Sequence, residues 1–527
     1  MGAMEHVRAR LAALAGAGLG ALSRAAGQGQ GSVVGGHAIL ALEPRALSYF
    51  SSGRKVALVS GTNGKTTTTK LLASALSAVT GSDVVTNVAG ANLPTGLAVA
   101  LASARPRSPA VLEVDEAWLA KVASDVRPAA LVLLNLSRDQ LDRNNEVRQV
   151  AERWRRTCEL AGPGAAVVAN ADDPLVAWAA MAAPSTLWAG AGLTWKGDAT
   201  GCPRCGGRVS FEKGTWRCGS CGLARPEPSI WLEAGEGGSW RAAQRAASYE
   251  LGLQLPGRAN AANAVMALAA LLALAGESAE VSEQALAAMA AVSEVAGRYA
   301  TVFWSGTRAR LLLAKNPAGW AEVFDMLAPA PTPVVVAINA RTADGHDPSW
   351  LWDVPFERLR GRRVVATGER RLDLAVRLHY GEVEHVSEPD LLGAITRAGP
   401  GGVDVVANYT AFHQILAALR AKRAILPRTP SALAGPAGQC ASPGPGTGDL
   451  PGPSTGQFGP GTGDLPGPGT GQLPGSGQCE LPGAAKATPP GTAKTASPGS
   501  GKGAGDATSS QGVTAPGPLA DLRADHG

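Results

Sequence analysis

Residues Val56–Lys70, reading VALVSGTNGKTTTTK, constrain the fold of this chain more than any other stretch. An apolar run (Val56, Leu58, Val59) enters a glycine turn, and four threonines follow into a segment that reads as a helix. A strand that feeds a glycine-rich loop and then a helix N-terminus makes an anion cradle. Backbone N–H groups converge on phosphate oxygens, and the helix dipole adds positive potential. Lys65 supplies a mobile cation, and a hydroxyl after it, Thr66 or Thr67, can ligate Mg²⁺. The common phosphate-loop pattern wants a glycine where Val59 stands, so the loop is a variant: Gly61-Thr62-Asn63-Gly64-Lys65-Thr66-Thr67.

At 527 residues the chain has length for two or three domains, and 45% hydrophobic residues suffice for real cores. A net charge of +5 suits an anionic nucleotide or lipid headgroup but is too small to argue for nucleic acid. No run of about 18 apolar residues predicts a membrane span. Leu11–Leu22, preceded by Arg8 and Arg10, mimics a signal peptide. Its Ala and Gly make it weakly hydrophobic, however, and Arg24 follows, so it reads as a helix over Glu5–Ala26. A glycine-rich loop is expected over Gln28–Gly36.

Strand and helix then alternate. Ala110–Val114 reads as a buried strand ending in Glu113-Val114-Asp115-Glu116, and acidic groups at a strand's C-terminal end lie where open α/β sheets bind ligands. One carboxylate there can hold Mg²⁺. Ala129–Leu136 and Ala165–Asn170 repeat the pattern, with Asp139, Asp142, Asp172 and Asp173 at their exits. Leu251–Leu255 reads as another strand. Pro256-Gly257-Arg258-Ala259-Asn260-Ala-Ala-Asn263 then opens a long alanine–leucine helix. Ala300–Leu313 reads as a hairpin, and Pro333–Asn339, Arg363–Ala366 and Val403–Ala407 as strands of a second α/β unit. From about residue 426 the composition collapses to Pro, Gly, Ser, Thr and Ala, which predicts disorder.

Cys202-Pro-Arg-Cys205 and Cys218-Gly-Ser-Cys221 form two tight knuckles, with hairpin segments Val209–Phe211 and Thr215–Arg217 between them. Paired spacing of this kind reads as metal rather than disulfides, which places the chain in a reducing cytosol. Four thiolates around Zn²⁺ is the expected outcome. A closed Cys₄ site has no open position for chemistry, so the insertion reads as a structural clip that metal binding folds.

The loop Gly61–Thr67 resembles the ATP-binding loop of the Mur ligase family. Three further features resemble one branch of that family, MurT. They are the Cys₄ insertion, Lys315-Asn-Pro-Ala-Gly319, and Asp344-Gly-His-Asp347-Pro-Ser-Trp-Leu-Trp-Asp353. The resemblance covers about residues 10–425. It implies an α/β fold with a lead-in over 1–45 and a Mur-ligase-like central ATP-binding domain over 46–295. The central domain has a parallel sheet and an inserted zinc ribbon at 198–228. A smaller α/β C-terminal domain over 296–425 follows, then a disordered tail over 426–527. It also implies the cofactors ATP, Mg²⁺ and Zn²⁺, with nucleotide contacts from Gly61, Thr62, Asn63, Gly64, Lys65, Thr66 and Thr67. Asn263, with Asn260 second, would contact the adenine end, and Glu113 would hold Mg²⁺ with Thr66. Gly297-Arg298-Tyr299-Ala300 matches the family's Gly-Arg-x-Glu except that Ala300 replaces the acid.

In the MurT branch the ligase activates the α-carboxylate of D-glutamate in the lipid II stem peptide and amidates it to D-isoglutamine. Ammonia comes from a GatD-type glutaminase partner. The resemblance therefore implies a heterodimer at the cytoplasmic side, meeting the membrane surface through lipid II. It also implies an aspartate that completes the partner's catalytic triad in trans; Asp344 and Asp347 are close to equal, and Asp353 trails. Two other readings stand beside it: an amino-acid-adding Mur-type or folylpolyglutamate-type ligase, and a non-catalytic zinc-ribbon scaffold that binds nucleotide.

Overall fold

The computed structural model describes residues 3–26, 31–87, 91–138, 147–162, 164–275, 281–293 and 298–422. Asp139, Asp142, Gly297 and the expected disorder over 426–527 lie outside these residues.

Among the described residues, ten strands precede the long alanine–leucine helix: β1 (Val56–Ser60), β2 (Ala110–Val114), β3 (Ala130–Leu133), β4 (Ala166–Asn170), β5 (Thr186–Gly190), β6 (Val209–Glu212), β7 (Thr215–Cys218), β8 (Ile230–Ala234), β9 (Trp240–Gln244) and β10 (Ser248–Glu250). Eight form one sheet in the order β10-β9-β8-β5-β4-β3-β1-β2. Pairing is parallel from β2 to β8 and antiparallel from β8 to β10. β1 and β3 are buried throughout, as a strand covered on both faces by helices requires. Arg258–Ala275 is long and apolar enough to cross a membrane, but it is a core helix. Its Val265, Met266 and Leu268 pack in one cluster with Val132 and Val168 of the sheet.

β11 (Tyr299–Trp304) and β12 (Thr307–Leu313) form the expected hairpin. With β13 (Val334–Ala337), β14 (Val364–Thr367), β15 (His385–Ser387) and β16 (Gly401–Ala407) they build a second sheet in the order β11-β12-β16-β13-β14-β15. All its pairings beyond the hairpin are parallel. β6 and β7 stand apart as a two-stranded antiparallel ribbon.

Two local expectations need correction. Leu251–Leu255 is not a strand; the edge strand ends at Glu250. Gly252 lies at φ +53, outside the extended region, so the apolar run cannot continue the ladder. Leu251 and Leu255 are buried all the same, anchoring an irregular segment. The glycine-rich stretch before residue 36 is also not a loop throughout, because a helix, α2, spans Ser32–Leu42. It crosses the N-terminal helix α1 (Ala3–Ala25) at close range. A Cβ on Gly35 would sit 2.6 Å from the Gly16 carbonyl oxygen, so the glycines serve close helix packing rather than a turn.

Candidate functional site

The sheet order reverses at β1. The chain passes from β1 to β2 on one side and then places β3 on the other, so a crevice opens at the carboxyl ends of β1 and β3. The loop Gly61–Gly64 fills its floor and is clasped to the segment leaving β3. The Thr62 N–H donates to the Asn135 carbonyl oxygen (2.9 Å). The Asn63 N–H donates to Asn135 Oδ1 (2.9 Å), and Asn135 Nδ2 returns a bond to the Asn63 carbonyl oxygen (3.1 Å). Thr62 Oγ1 donates to the Ser137 carbonyl oxygen (3.1 Å) and accepts from the Ser137 N–H (3.0 Å). These bonds fix the loop backbone before any ligand arrives. The helix Lys65–Thr80 starts directly after it, which supplies the dipole and unpaired N–H groups of an anion cradle.

Gly64 adopts φ +86, where a side chain is strained. A Cβ there would also lie 2.2 Å from Asn263 Oδ1. Asn263 thus faces the loop directly, whereas Asn260 spends its Nδ2 on the Pro256 carbonyl oxygen (2.7 Å), four residues back. Lys65 is buried. Its Nζ donates to the carbonyl oxygens of Gly61 (2.5 Å) and Thr62 (3.4 Å) and pairs with Glu116 Oε2 at 2.8 Å. The lysine's carboxylate partner is Glu116, three residues beyond Glu113, the residue expected to hold Mg²⁺. Glu113 is itself buried on β2, in register with Val59, and Asn87 brackets its backbone with bonds of 2.9 and 3.0 Å.

Glu113 and Thr66 line one cleft of about 1010 Å³ together with Asn87 and Lys70. Thr67 faces the other side of the helix, into a small cavity shared with Asn63, Asn260 and Asn263. Glu113 and Thr66 therefore share a cleft that Thr67 does not line. Two small cavities behind the loop, of about 40 and 80 Å³, are bounded by Asn63, Asn263 and Glu322. Burial pushes the Glu322 carboxyl up to about 7, against the opposing pull of Arg298 and Arg258.

The second sheet reaches this site through a residue that the sequence reading quoted only as part of a family signature. Asn316 is buried at the start of the helix Pro317–Phe324. Its Oδ1 accepts from the Gly319 N–H (2.8 Å) and from Asn63 Nδ2 (3.2 Å), and its Nδ2 faces Asn63 Oδ1 at 3.4 Å. A buried amide pair thus links the phosphate loop to the C-terminal part of the chain. Arg138, which leaves β3, adds a contact of 3.4 Å to Asp353.

The acidic loop after β13 separates its aspartates by environment. Asp344 is buried; its Oδ1 accepts from the Thr410 N–H (2.9 Å), and its Oδ2 from the Thr410 hydroxyl and the Arg341 N–H. Asp347 is exposed, with Oδ1 accepting from the Ser349 N–H at 2.8 Å in an Asx-turn. Asn339 and Asn408 exchange backbone and side-chain bonds of 3.1 and 2.7 Å at the ends of β13 and β16, so this loop also sits where a sheet order reverses.

The four insertion cysteines converge. Their sulfurs all lie within 4.8 Å of one another, with Cys202–Cys221 and Cys205–Cys218 each at 3.6 Å. Zn–S bonds of about 2.3 Å place tetrahedral sulfurs about 3.8 Å apart, so the donor set fits Zn²⁺. The ribbon is docked rather than tethered: Trp216 is buried, packs with Ala177 and Leu223, and donates its indole N–H to the Ala171 carbonyl oxygen (2.9 Å).

Comparison with known proteins agrees with this architecture. Residues 59–190 match the Mur ligase middle domain. A pseudomurein peptide ligase type C from Methanothermus fervidus superposes with a TM-score of 0.55 at 19% identity, over 69% of this chain and 79% of that one. MurF from Acinetobacter baumannii gives 0.53 at 15% identity, over 75% and 80%. Fold and loop together define a Mur-type ligase architecture. Residues 313–412 match the MurT ligase C-terminal domain. The chain is 30% identical over 426 residues to the lipid II isoglutaminyl synthase (glutamine-hydrolyzing) subunit MurT of Streptococcus pneumoniae, covering 74% of this chain and 93% of that relative. The Staphylococcus aureus subunit of the same name is 27% identical over 408 residues, 68% of this chain and 86% of its own length. The chain belongs to the MurT family.

Proposed function

We propose that this chain is the ATP-dependent ligase subunit that amidates the α-carboxylate of D-glutamate in the lipid II stem peptide. It would work at the cytoplasmic side with ammonia from a GatD-type glutaminase partner. The observation that carries the reading is the convergence of a pre-clasped phosphate loop, a buried Lys65–Glu116 pair and Glu113 beside one large cleft, in a chain of the MurT family.

The substrate carboxylate would attack the γ-phosphoryl group of ATP and release ADP, and ammonia would then displace inorganic phosphate from the acyl phosphate to give the amide. The chain's own residues bind and hold. The loop N–H groups from Gly64 to Thr66 would receive phosphate oxygens, and Lys65 would neutralise charge on the migrating group. Glu116 holds the lysine ammonium in place while the site waits. Glu113 and Thr66 would hold Mg²⁺ on the cleft side. Asn263, against Gly64 and beside the small cavities, suits the adenine end better than Asn260, whose side-chain amide is spent on the Pro256 carbonyl oxygen. The four ribbon cysteines would hold Zn²⁺ as a structural clip.

Ammonia is mostly protonated at neutral pH, so delivery from a glutaminase is the sensible source. Exposure and an uncommitted carboxylate oxygen favour Asp347 as the residue that would orient the partner's histidine in trans. Asp344 is consumed by Thr410 and Arg341. The test is coupling. With the partner present, ADP release should require both lipid II and glutamine, and ammonium should replace glutamine plus partner. ADP release indifferent to lipid II would reject the reading.

A further inference from the structure

The N-terminal helix α1 buries its small residues and shows its large apolar ones to solvent. Ala9, Ala12, Gly16, Gly20 and Ser23 recur at helical spacing and face the body of the protein. Val7 (56% exposed), Leu11 (60%), Leu14 (70%) and Leu22 (66%) recur on the opposite side. Val33, Val34 and Leu42 of the neighbouring α2 are exposed as well. A helix of a water-soluble protein has the reverse arrangement. The stripe runs along a helix of 23 residues, about 35 Å by the usual rise, and is a patch rather than a scatter of single residues.

The flanking charge is one-sided. Residues 1–45 carry four arginines and two glutamates, with no lysine or aspartate. Both glutamates are engaged: Glu43 is buried and lies 3.4 Å from Arg8, and Glu5 lies 3.8 Å from Arg45. Arg10 and Arg24 are exposed along α1. Apolar residues with arginines and no uncompensated acid match an anionic lipid surface, where neither feature alone would hold.

The start of α2 is also connected to the site. A cavity of about 400 Å³ begins at Ser32, the first residue of α2, and runs past Asp83, Val84 and Thr86. The same three residues line the 1010 Å³ cleft that ends at Thr66 and Glu113. One groove therefore leads from the first residue of α2 to the phosphate loop.

We propose that the outer face of α1 and α2 docks on the anionic surface of a bilayer, so that the headgroup of a lipid-linked substrate enters the groove from Ser32 towards Glu113. The docking half stands on the exposed stripe and its arginines. The delivery half rests on the function proposed above.

The test is co-sedimentation of the full chain, with its glutaminase partner, on vesicles of phosphatidylglycerol with phosphatidylcholine and on vesicles of phosphatidylcholine alone. Wild type should bind the anionic vesicles, more weakly as salt rises. Leu11→Ser/Leu14→Ser should lose about tenfold or more of that binding, and Arg10→Glu/Arg24→Glu should lose the preference for anionic lipid. The leucine variant should also amidate vesicle-borne lipid II more slowly while treating a water-soluble stem-peptide substrate like wild type. Wild type left in the supernatant, or a leucine variant that binds like wild type, overturns the proposal. So does a leucine variant that keeps vesicle binding but loses its partner or its oligomeric state on size exclusion, which would assign the face to a protein. Vesicle binding as expected without any amidation of lipid II by wild type would instead refute the proposed function and leave the docking surface standing.

Discussion

Asn316→Ala should weaken the protein more than any ordinary helix-cap loss. Asn316 Oδ1 caps the helix Pro317–Phe324 through the Gly319 N–H, and losing such a cap costs about 1 kcal/mol. The same side chain satisfies both polar atoms of the Asn63 side chain, and Asn63 is buried. Orphaning a buried amide costs about 1–3 kcal/mol more. The sum is about 2–4 kcal/mol, carried across 253 residues of sequence. Asn63→Ala should cost less, about 1–2 kcal/mol, because Asn316 keeps its cap bond. The double variant should cost clearly less than the two singles together, since neither amide is left stranded, giving a coupling of about 1–2 kcal/mol. The assay is urea denaturation of the four proteins without nucleotide, followed by intrinsic tryptophan fluorescence. Additivity within about 0.3 kcal/mol would refute the idea that this pair ties the loop to the C-terminal sheet.

Other consequences follow from the same geometry. Elemental analysis should find one zinc per chain, and a strong chelator should expose Trp216 and lower the melting temperature while leaving nucleotide binding in place; a chelator-insensitive melt with no bound zinc would reject the clip. Asp344→Ala should destabilise the chain by about 1–3 kcal/mol through its lost bonds to Thr410. Asp347→Asn should leave the melt unchanged and abolish glutamine-dependent but not ammonium-dependent amidation; the opposite ranking would exchange the two roles. Glu322 has its folded-state pKa raised from 4.5 to about 7 by burial. The folded state then holds the proton more tightly than the unfolded chain. Stability should therefore fall as pH rises from about 4.5 through about 7, and Glu322→Gln should flatten that fall; an unchanged profile in the variant would remove Glu322 as its source.

The phosphate loop and its strand were legible because they are local. Val56–Ser60 is apolar without interruption, and glycine, lysine and threonine follow in the order that a strand–loop–helix cradle needs. The cysteine knuckles were legible for the same reason: two short spacings and a hairpin between them define the cluster. The glycines of α2 misled because local propensity counts glycine as a breaker, and the close crossing with α1 that requires them is a tertiary fact. Leu251–Leu255 misled because alternating leucines read as a strand, while Gly252 turns the backbone out of the extended region. Glu116 stands among acidic neighbours in the sequence, and only the fold shows that it meets Lys65. Asn316 sat in a recognised signature, yet its bond to Asn63 joins two sheets and has no local signal.

The most direct measurement is the mass of lipid II after incubation with this chain, its candidate glutaminase, ATP, Mg²⁺ and glutamine. Replacement of one hydroxyl by an amino group per stem peptide, lost with Lys65→Ala, is the predicted result. An unchanged mass with any glutaminase and with ammonium, from protein that still binds ATP, would contradict the ligase assignment.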